Sequence, residues 1–193
     1  GKVNKKNYIE YITFNYSTKL PIVNAIVNGY KGRFLFDTGA PNVISIKFAK
    51  KLNLKKLAYG NVNDSGGNTI NNQSYVKINE ITLGNINFKN TGAIIQDLGT
   101  SEIMTCLELD GIIGANLMRN AFWKIDYQNQ TIGITDQLEH FNLSSDYSEI
   151  KFKEKTQGTP LIDIDLDGIK VKNLTFDTGS NGHISMPTKA FNI

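Results

Sequence analysis

Residues 21–45 read PIVNAIVNGYKGRFLFDTGAPNVIS, and residues 160–185 read PLIDIDLDGIKVKNLTFDTGSNGHIS. Both run from a proline through an apolar alternating segment to Asn-Gly or Asp-Gly. Both then continue through a second apolar segment into Phe-Asp-Thr-Gly, a small residue and, shortly after, Ile-Ser. Pro21 and Pro160 lie 139 positions apart, whereas Asp37 and Asp177 lie 140 apart, so one residue is inserted in the second hairpin. Average composition gives on the order of a few hundredths of one chance Asp-Thr-Gly in a chain of this length. Two, in matching surroundings, mark an internal repeat.

Each copy reads as a hairpin feeding a sharp loop. Ile22 to Val27 is rich in β-branched residues, and Asn28-Gly29 is a two-residue turn signal because both residues tolerate positive φ. Phe34-Leu35-Phe36 is an unbroken apolar run, as expected of a return strand buried on both faces. Asp37-Thr38-Gly39 interrupts it. Val43 and Ile44 restart a strand, and Ser45 is placed to cap a short helix over Ile46 to Leu52.

Outward from the repeat, the stretch between the copies is β-rich. Asn63 to Asn68 is polar and glycine-rich, the composition of a mobile hairpin tip. Strands are expected over Tyr75 to Ile81 and Gly92 to Ile95, with a turn at Leu83-Gly84-Asn85-Ile86. Ile103 to Leu109 reads as loop or strand leading into Asp110-Gly111-Ile112-Ile113-Gly114. A short helix is expected over Asn116 to Asn120, and a hairpin pairs Trp123–Tyr127 with Thr131–Ile134. His140 to Glu149 is polar and serves as a linker in which His140 needs no role. The division follows: residues 1–142 form a first lobe, and residues 143–193 the linker and the start of a second.

Composition narrows the functional classes. Of 193 residues, 40% are apolar and 20% charged, with net charge +3, which suits a packed core rather than disorder. The lysines are scattered, and Lys47, Lys50, Lys51, Lys55 and Lys56 read as the wet face of a short helix, so nucleic acid is not expected as a partner. No apolar run reaches the length of a membrane span. The single cysteine, Cys106, forms no internal disulfide and is expected to be a small buried residue. Asp163-Ile164-Asp165-Leu166-Asp167-Gly168 imitates the opening of a calcium loop, but Leu174 stands where a bidentate Glu is required. His183 matches Val43 in the repeat and reads as a strand residue. Five Asn-x-Ser/Thr triplets, from Asn15, Asn72, Asn129, Asn142 and Asn173, follow from the abundance of asparagine. Neither a metal nor a cofactor is expected.

Phe36-Asp37-Thr38-Gly39-Ala40 and Phe176-Asp177-Thr178-Gly179-Ser180 resemble the active-site loops of retropepsin-like aspartic peptidases. The first is similar to the retroviral form and the second to the pepsin form. Asp110-Gly111-Ile112-Ile113-Gly114 resembles the apolar-apolar-Gly segment that passes behind such a loop. The resemblance implies a mostly β fold, a closed acid-protease β-barrel, with one complete lobe and the beginning of a second. It implies that Asp37 and Asp177 are catalytic, that Thr38 and Thr178 bond across the two loops, and that Gly39 and Gly179 let the backbone approach the carboxylates. Gly66 and Gly67 take the place of the flap over the substrate, and Phe36 and Phe176 pack beneath the loops.

The chemistry requires these residue types. Two carboxylates held roughly 3 Å apart cannot both ionise, so they share one proton. The ionised member draws a proton from water and the protonated member donates to the scissile carbonyl. The expected function is therefore an aspartic endopeptidase acting on peptide or protein substrates. The alternative is a non-catalytic module that keeps the fold to bind a peptide or a partner. The second copy brings a hairpin and a loop but no second flap and no second apolar-apolar-Gly segment. Leu174, Phe176 and Ile184 are thus expected to lack their cover, and these residues alone to be inactive. Self-association of two first lobes, each supplying Asp37, is the other arrangement left open. An exported location is favoured over a cytoplasmic one because bacterial proteins of this resemblance are often exported.

Overall fold

The computed structural model describes residues 2–3, 5–63, 69–100, 102–182 and 184. The first part of the chain contains strands β1 (Lys2–Val3), β2 (Ile9–Asn15), β3 (Ile22–Val27), β4 (Tyr30–Asp37) and β5 (Val43–Ser45), then helix α1 (Ile46–Lys51). Strands β6 (Lys56–Asn63), β7 (Thr69–Leu83) and β8 (Ile86–Gln96) follow, then helix α2 (Glu102–Cys106), strand β9 (Gly111–Gly114) and helix α3 (Ala115–Met118). Strands β10 (Phe122–Asp126) and β11 (Thr131–Thr135) complete this part, and β12 (Lys153–Glu154), β13 (Pro160–Leu166) and β14 (Ile169–Thr175) form a separate three-stranded sheet.

The hydrogen-bonded circuit β3–β4–β9–β5–β8–β7 closes on itself where Ile26 and Val27 pair with Thr82 and Ile81. The result is a six-stranded barrel, so the mostly β, closed-barrel expectation is borne out. Its sequence logic is alternation. On β3, Val23, Ala25 and Val27 are buried while Asn24 and Ile26 face outward. On β4 both faces are covered: Phe34 and Phe36 join the main core, and Leu35 joins a second cluster with Leu20, Ile22, Val43, Leu107, Leu109 and Ile112. That two-sided burial is what the unbroken Phe-Leu-Phe run implied. The turn between β3 and β4 has positive φ at both Asn28 and Gly29, and Ser45 Oγ accepts the Phe48 N–H at 3.1 Å to start α1.

Four local readings are corrected. Ile103 to Leu109 is neither strand nor simple loop, for residues 102–106 form α2. Cys106 is exposed, because the adjacent Leu107 and nearby Leu109 occupy the buried positions. His140 is not idle in a linker: it lies in a 3-10 turn, with Nδ1 2.7 Å from Thr135 Oγ1 and 3.1 Å from the Tyr8 carbonyl. There it fastens the entry of β2 to the exit of β11. The extended strand β8 also begins well before Gly92.

The second hairpin repeats the first in local geometry but not in burial. Asp167 and Gly168 repeat the positive-φ turn, and Phe176 N–H donates to Pro160 O as Phe36 N–H donates to Pro21 O. Ile162 faces Leu174 across the pair, Ile164 faces Val171, and Leu166 faces Ile169. These six share one apolar face, yet none is buried. Four of them, Ile162, Ile164, Leu166 and Leu174, correspond in the first copy to Val23, Ala25, Val27 and Phe34, which are core residues at 0–3% exposure. Phe36 is fully buried whereas Phe176 is 51% exposed, as is Ile184. Packing of Phe36 under its loop is as expected; Phe176 lacks it, as the missing cover implied. Residues 142–156 are all exposed, and Arg119 ties this stretch to the barrel through Glu154 at 2.8 Å.

Phe34→Ala removes a fully enclosed ring and is expected to cost about 3–5 kcal/mol in urea unfolding. The repeat-related change on the open hairpin, Phe176→Ala, is expected to cost less than about 1 kcal/mol. Equal costs would contradict the difference in packing.

Candidate active site

Two loops meet between the barrel and the second hairpin. Strand β4 ends at Asp37 and is held in parallel by β9 in the register Phe34–Gly111, Leu35–Ile112, Phe36–Ile113 and Asp37–Gly114. Beneath it the Phe36 ring lies 5.2 Å from Trp123, whose Nε1–H donates to Met118 O at 2.6 Å. The base of the first loop is therefore rigid. A side chain at Gly114 would collide with the backbone of Ala40 and Pro41, so glycine ends the apolar-apolar-Gly segment because the loop runs directly over it.

The threonines join the loops reciprocally. Thr38 N–H donates to Thr178 Oγ1 at 3.1 Å, and Thr178 N–H donates to Thr38 Oγ1 at 3.0 Å. Each hydroxyl then donates to the opposite strand, Thr38 Oγ1 to Phe176 O at 2.6 Å and Thr178 Oγ1 to Phe36 O at 2.8 Å. Four bonds thus satisfy both hydroxyls and both amides, with Thr178 6% exposed. Only a short hydroxyl-bearing side chain can accept from an amide and donate to a carbonyl in this space.

The same crossing brings the two carboxyl groups together. A Cβ added to Gly39 would lie 2.6 Å from Asp177 Cγ, and one added to Gly179 would overlap the Asp37 carboxyl. Each glycine leaves room for the other loop's acid. Asp37 Oδ1 accepts Gly39 N–H at 2.6 Å and Ala40 N–H at 3.1 Å, and Asp177 Oδ1 accepts Gly179 N–H at 2.8 Å. Asp37 is 8% exposed. Burial first, then the charge of Asp177 and a hydrogen bond with it, push the Asp37 carboxyl up to about 7, against the pull of the Gly39 and Ala40 amides. Asp177 itself is exposed. The difference follows from the bare hairpin behind it.

Asp37, Thr38, Gly39, Asp177, Thr178 and Gly179 therefore converge. Gly66 and Gly67 lie outside the described residues, as does His183. The arms on either side of the expected flap are the antiparallel pair β6 and β7. Tyr75 on β7 packs its ring against Gly60 of β6. Sequence reading missed Asn42, Asn116 and Thr159. Asn42 is 1% exposed and bonded to both β8 and β9, and Thr159 Oγ1 reaches Gly39 O at 3.5 Å. No local pattern announces them, because the groups they bond lie far away in the chain. Among the described residues no group of three or more His, Cys, Asp or Glu is arranged to hold a metal ion. No helix among them is long and apolar enough to cross a membrane.

The profile of the aspartyl protease family matches residues 23–117. A retropepsin-like aspartic protease from Rickettsia conorii superposes with a TM-score of 0.51 at 22% identity, covering 66% of this chain and 91% of that one. EIAV protease, in complex with the inhibitor HBY-793, gives a TM-score of 0.40 at 18% identity, covering 56% of this chain and 92% of that one. No curated protein matches the chain. The resemblance to retropepsin-like aspartic peptidases is borne out by the fold and by the family match, which takes in the first Asp-Thr-Gly loop.

The raised Asp37 carboxyl fixes a pH dependence of stability. A group lifted from an ordinary 3.8 to about 7 costs nothing below the lower value. Its cost grows as pH rises between the two and is constant above the upper one. Asp37→Asn, a neutral isostere, is therefore expected to melt higher than the wild type above about pH 7. It should show no such advantage at about pH 2.5, below the ordinary carboxylate value, where Asp37 is protonated whether the chain is folded or unfolded. A constant difference across this range would contradict a raised Asp37.

Proposed function

From a fold shared with retropepsin-like aspartic proteases, we propose that this chain supplies the two acids of an aspartic endopeptidase. The family match and the fold support a protease-type function in general. The finer reading rests on one observation: where two threonine-locked loops cross, the Asp37 and Asp177 carboxyls come together, each against the glycine of the other's loop.

In this reading the pair holds one proton. The ionised carboxylate takes a proton from water as its oxygen attacks the scissile carbonyl carbon. The protonated carboxyl donates to the carbonyl oxygen. The tetrahedral intermediate carries two hydroxyls on the former carbonyl carbon. It collapses as one hydroxyl proton returns to the dyad and a proton passes to the leaving amine, breaking the C–N bond. The dyad titrates as a unit, so neither acid is assigned the base role. The threonine bonds keep the carboxyls from drifting apart as charge moves between them, which is positioning catalysis. The substrate is an extended peptide or protein segment covered by the β6–β7 hairpin, in the manner of strand addition. An exported location, in the periplasm, at the cell surface or secreted, is proposed with it on the family resemblance.

Asp177 stands exposed on a hairpin whose apolar face is bare. Water therefore screens the interaction that should hold the shared proton. These residues by themselves are accordingly expected to cleave slowly or not at all. The competing reading, a peptide- or partner-binding module, predicts that a transition-state mimic of peptide hydrolysis binds no better than an ordinary peptide.

The test is cleavage of a mixed peptide pool at mildly acid pH, read by mass spectrometry, with a protein in which the second hairpin is covered. Asp37→Asn is expected to lower cleavage by at least about 10³-fold. Activity should decline as pH rises through about 7, where the shared proton is lost. Cleavage unchanged in Asp37→Asn would rule out the dyad.

A further inference from the structure

The two Asp-Thr-Gly loops are anchored by different means. In the first, Asn42 uses every polar group it has. Its Oδ1 accepts Gly114 N–H at 2.8 Å, and its Nδ2 donates to Gly92 O at 3.2 Å. Its backbone N–H donates to Asn116 Oδ1 at 2.7 Å, and its carbonyl accepts Ile94 N–H at 3.0 Å. Asn116 Nδ2 donates to the same Gly92 O at 2.9 Å. The corresponding residue of the second copy is Gly182, which has no side chain. Its N–H instead donates to Ser180 Oγ at 3.3 Å, a bond within the loop itself. The first loop is thus fastened to β8 and β9, whereas this bond fastens the second loop to itself.

This anchor lies two residues beyond Ala40, and the connection between them is stiff. Pro41 has its φ locked by its ring and restricts Ala40 before it. Ala40 is held on both sides: its carbonyl accepts Ala115 N–H at 2.8 Å and its N–H reaches Asp37 Oδ1 at 3.1 Å. Where Asn42 sits therefore decides where the Ala40 N–H points.

We propose that Asn42 is a positioning residue for Asp37, bridging Gly114 and Gly92 so that the Ala40 amide is aimed at the Asp37 carboxyl. Its consequence for catalysis rests on the dyad reading above, but the positioning itself does not. An Asn42 that only stabilised the barrel would lower the melting temperature and leave the carboxyl as it was. An Asn42 that positions Asp37 also changes the carboxyl's titration, since an N–H donated to a carboxylate favours the charged form. Among the described residues, Asp177 is the charged group whose field reaches Asp37.

The experiment uses Asn42→Gly, which gives the first loop the residue of the second, with Asn116→Ala as a gentler variant at a half-buried site. Amide hydrogen exchange and ¹³C titration of the Asp37 carboxyl are read in protein whose circular dichroism matches the wild type. Exchange at Ala40 and Gly114 is expected to quicken by about tenfold or more in Asn42→Gly, the loss of a buried bond. The Asp37 midpoint should move upward, and Asn116→Ala should shift both in the same direction by less. Wild-type exchange and titration in folded Asn42→Gly would overturn the proposal. If that variant does not fold, the same result in Asn116→Ala would overturn it. In a cleavage-competent protein, Asn42→Gly should lower kcat and leave KM unchanged. Absence of cleavage even in the wild type would count against the dyad, and the exchange and titration results would still decide the role of Asn42.

Discussion

Two carboxyl groups that meet in a confined space repel unless a proton lies between them, and something must hold them against that repulsion. Here the restraint is the reciprocal bonding of Thr38 and Thr178, in which each hydroxyl accepts an amide of the opposite loop and donates to a carbonyl of that same opposite copy. Everything else in the first part of the chain serves that restraint. Strand β9 fixes the end of β4 through main-chain pairing, Trp123 supports Phe36 from below, and Asn42 closes the far side of the loop. The polar groups involved are satisfied, which is what makes a rigid loop affordable so close to a buried acid.

The two copies form a controlled comparison within one molecule. Their hairpins share turn chemistry, the proline-to-phenylalanine bond and the Asp-Thr-Gly loop, so local sequence produces local geometry in both. Burial does not follow. Phe34, Leu35 and Phe36 are sealed where β9 arrives from far along the chain, while Leu174 is only half-buried and Phe176 is exposed. The electrostatic consequence is immediate. The acid on the covered hairpin is enclosed and its carboxyl is raised, and the acid on the bare hairpin faces water. Burial, more than the identity of the loop, distinguishes the two aspartates.

Much of the fold was legible because its signals are short-range. The alternation of β3, the Asn28-Gly29 turn, the two-faced Phe34–Phe36 strand and the Ser45 cap each depend on a few neighbouring residues. Misreadings arose where the deciding partner is distant. Residues 102–106 form a helix even though their apolar pattern also suits a strand, and Cys106 is exposed because its neighbours Leu107 and Leu109 reach the cluster around Leu35. His140 found partners at Tyr8 and Thr135 that no local pattern indicates. Asn42 and Asn116 were invisible for the same reason: an asparagine among many says nothing until the chain brings Gly92 and Gly114 within reach.

The sequence alone determined the duplication, the hairpin-and-loop form of each copy and the residue types at the candidate site, because turn preference, alternation and side-chain chemistry are properties of a few adjacent residues. Tertiary structure alone decided that the threonines bond crosswise, that each glycine makes room for the opposite acid, and which aspartate is enclosed. Those outcomes depend on groups more than a hundred residues apart meeting at hydrogen-bond distance, and nothing in the linear order sets that distance.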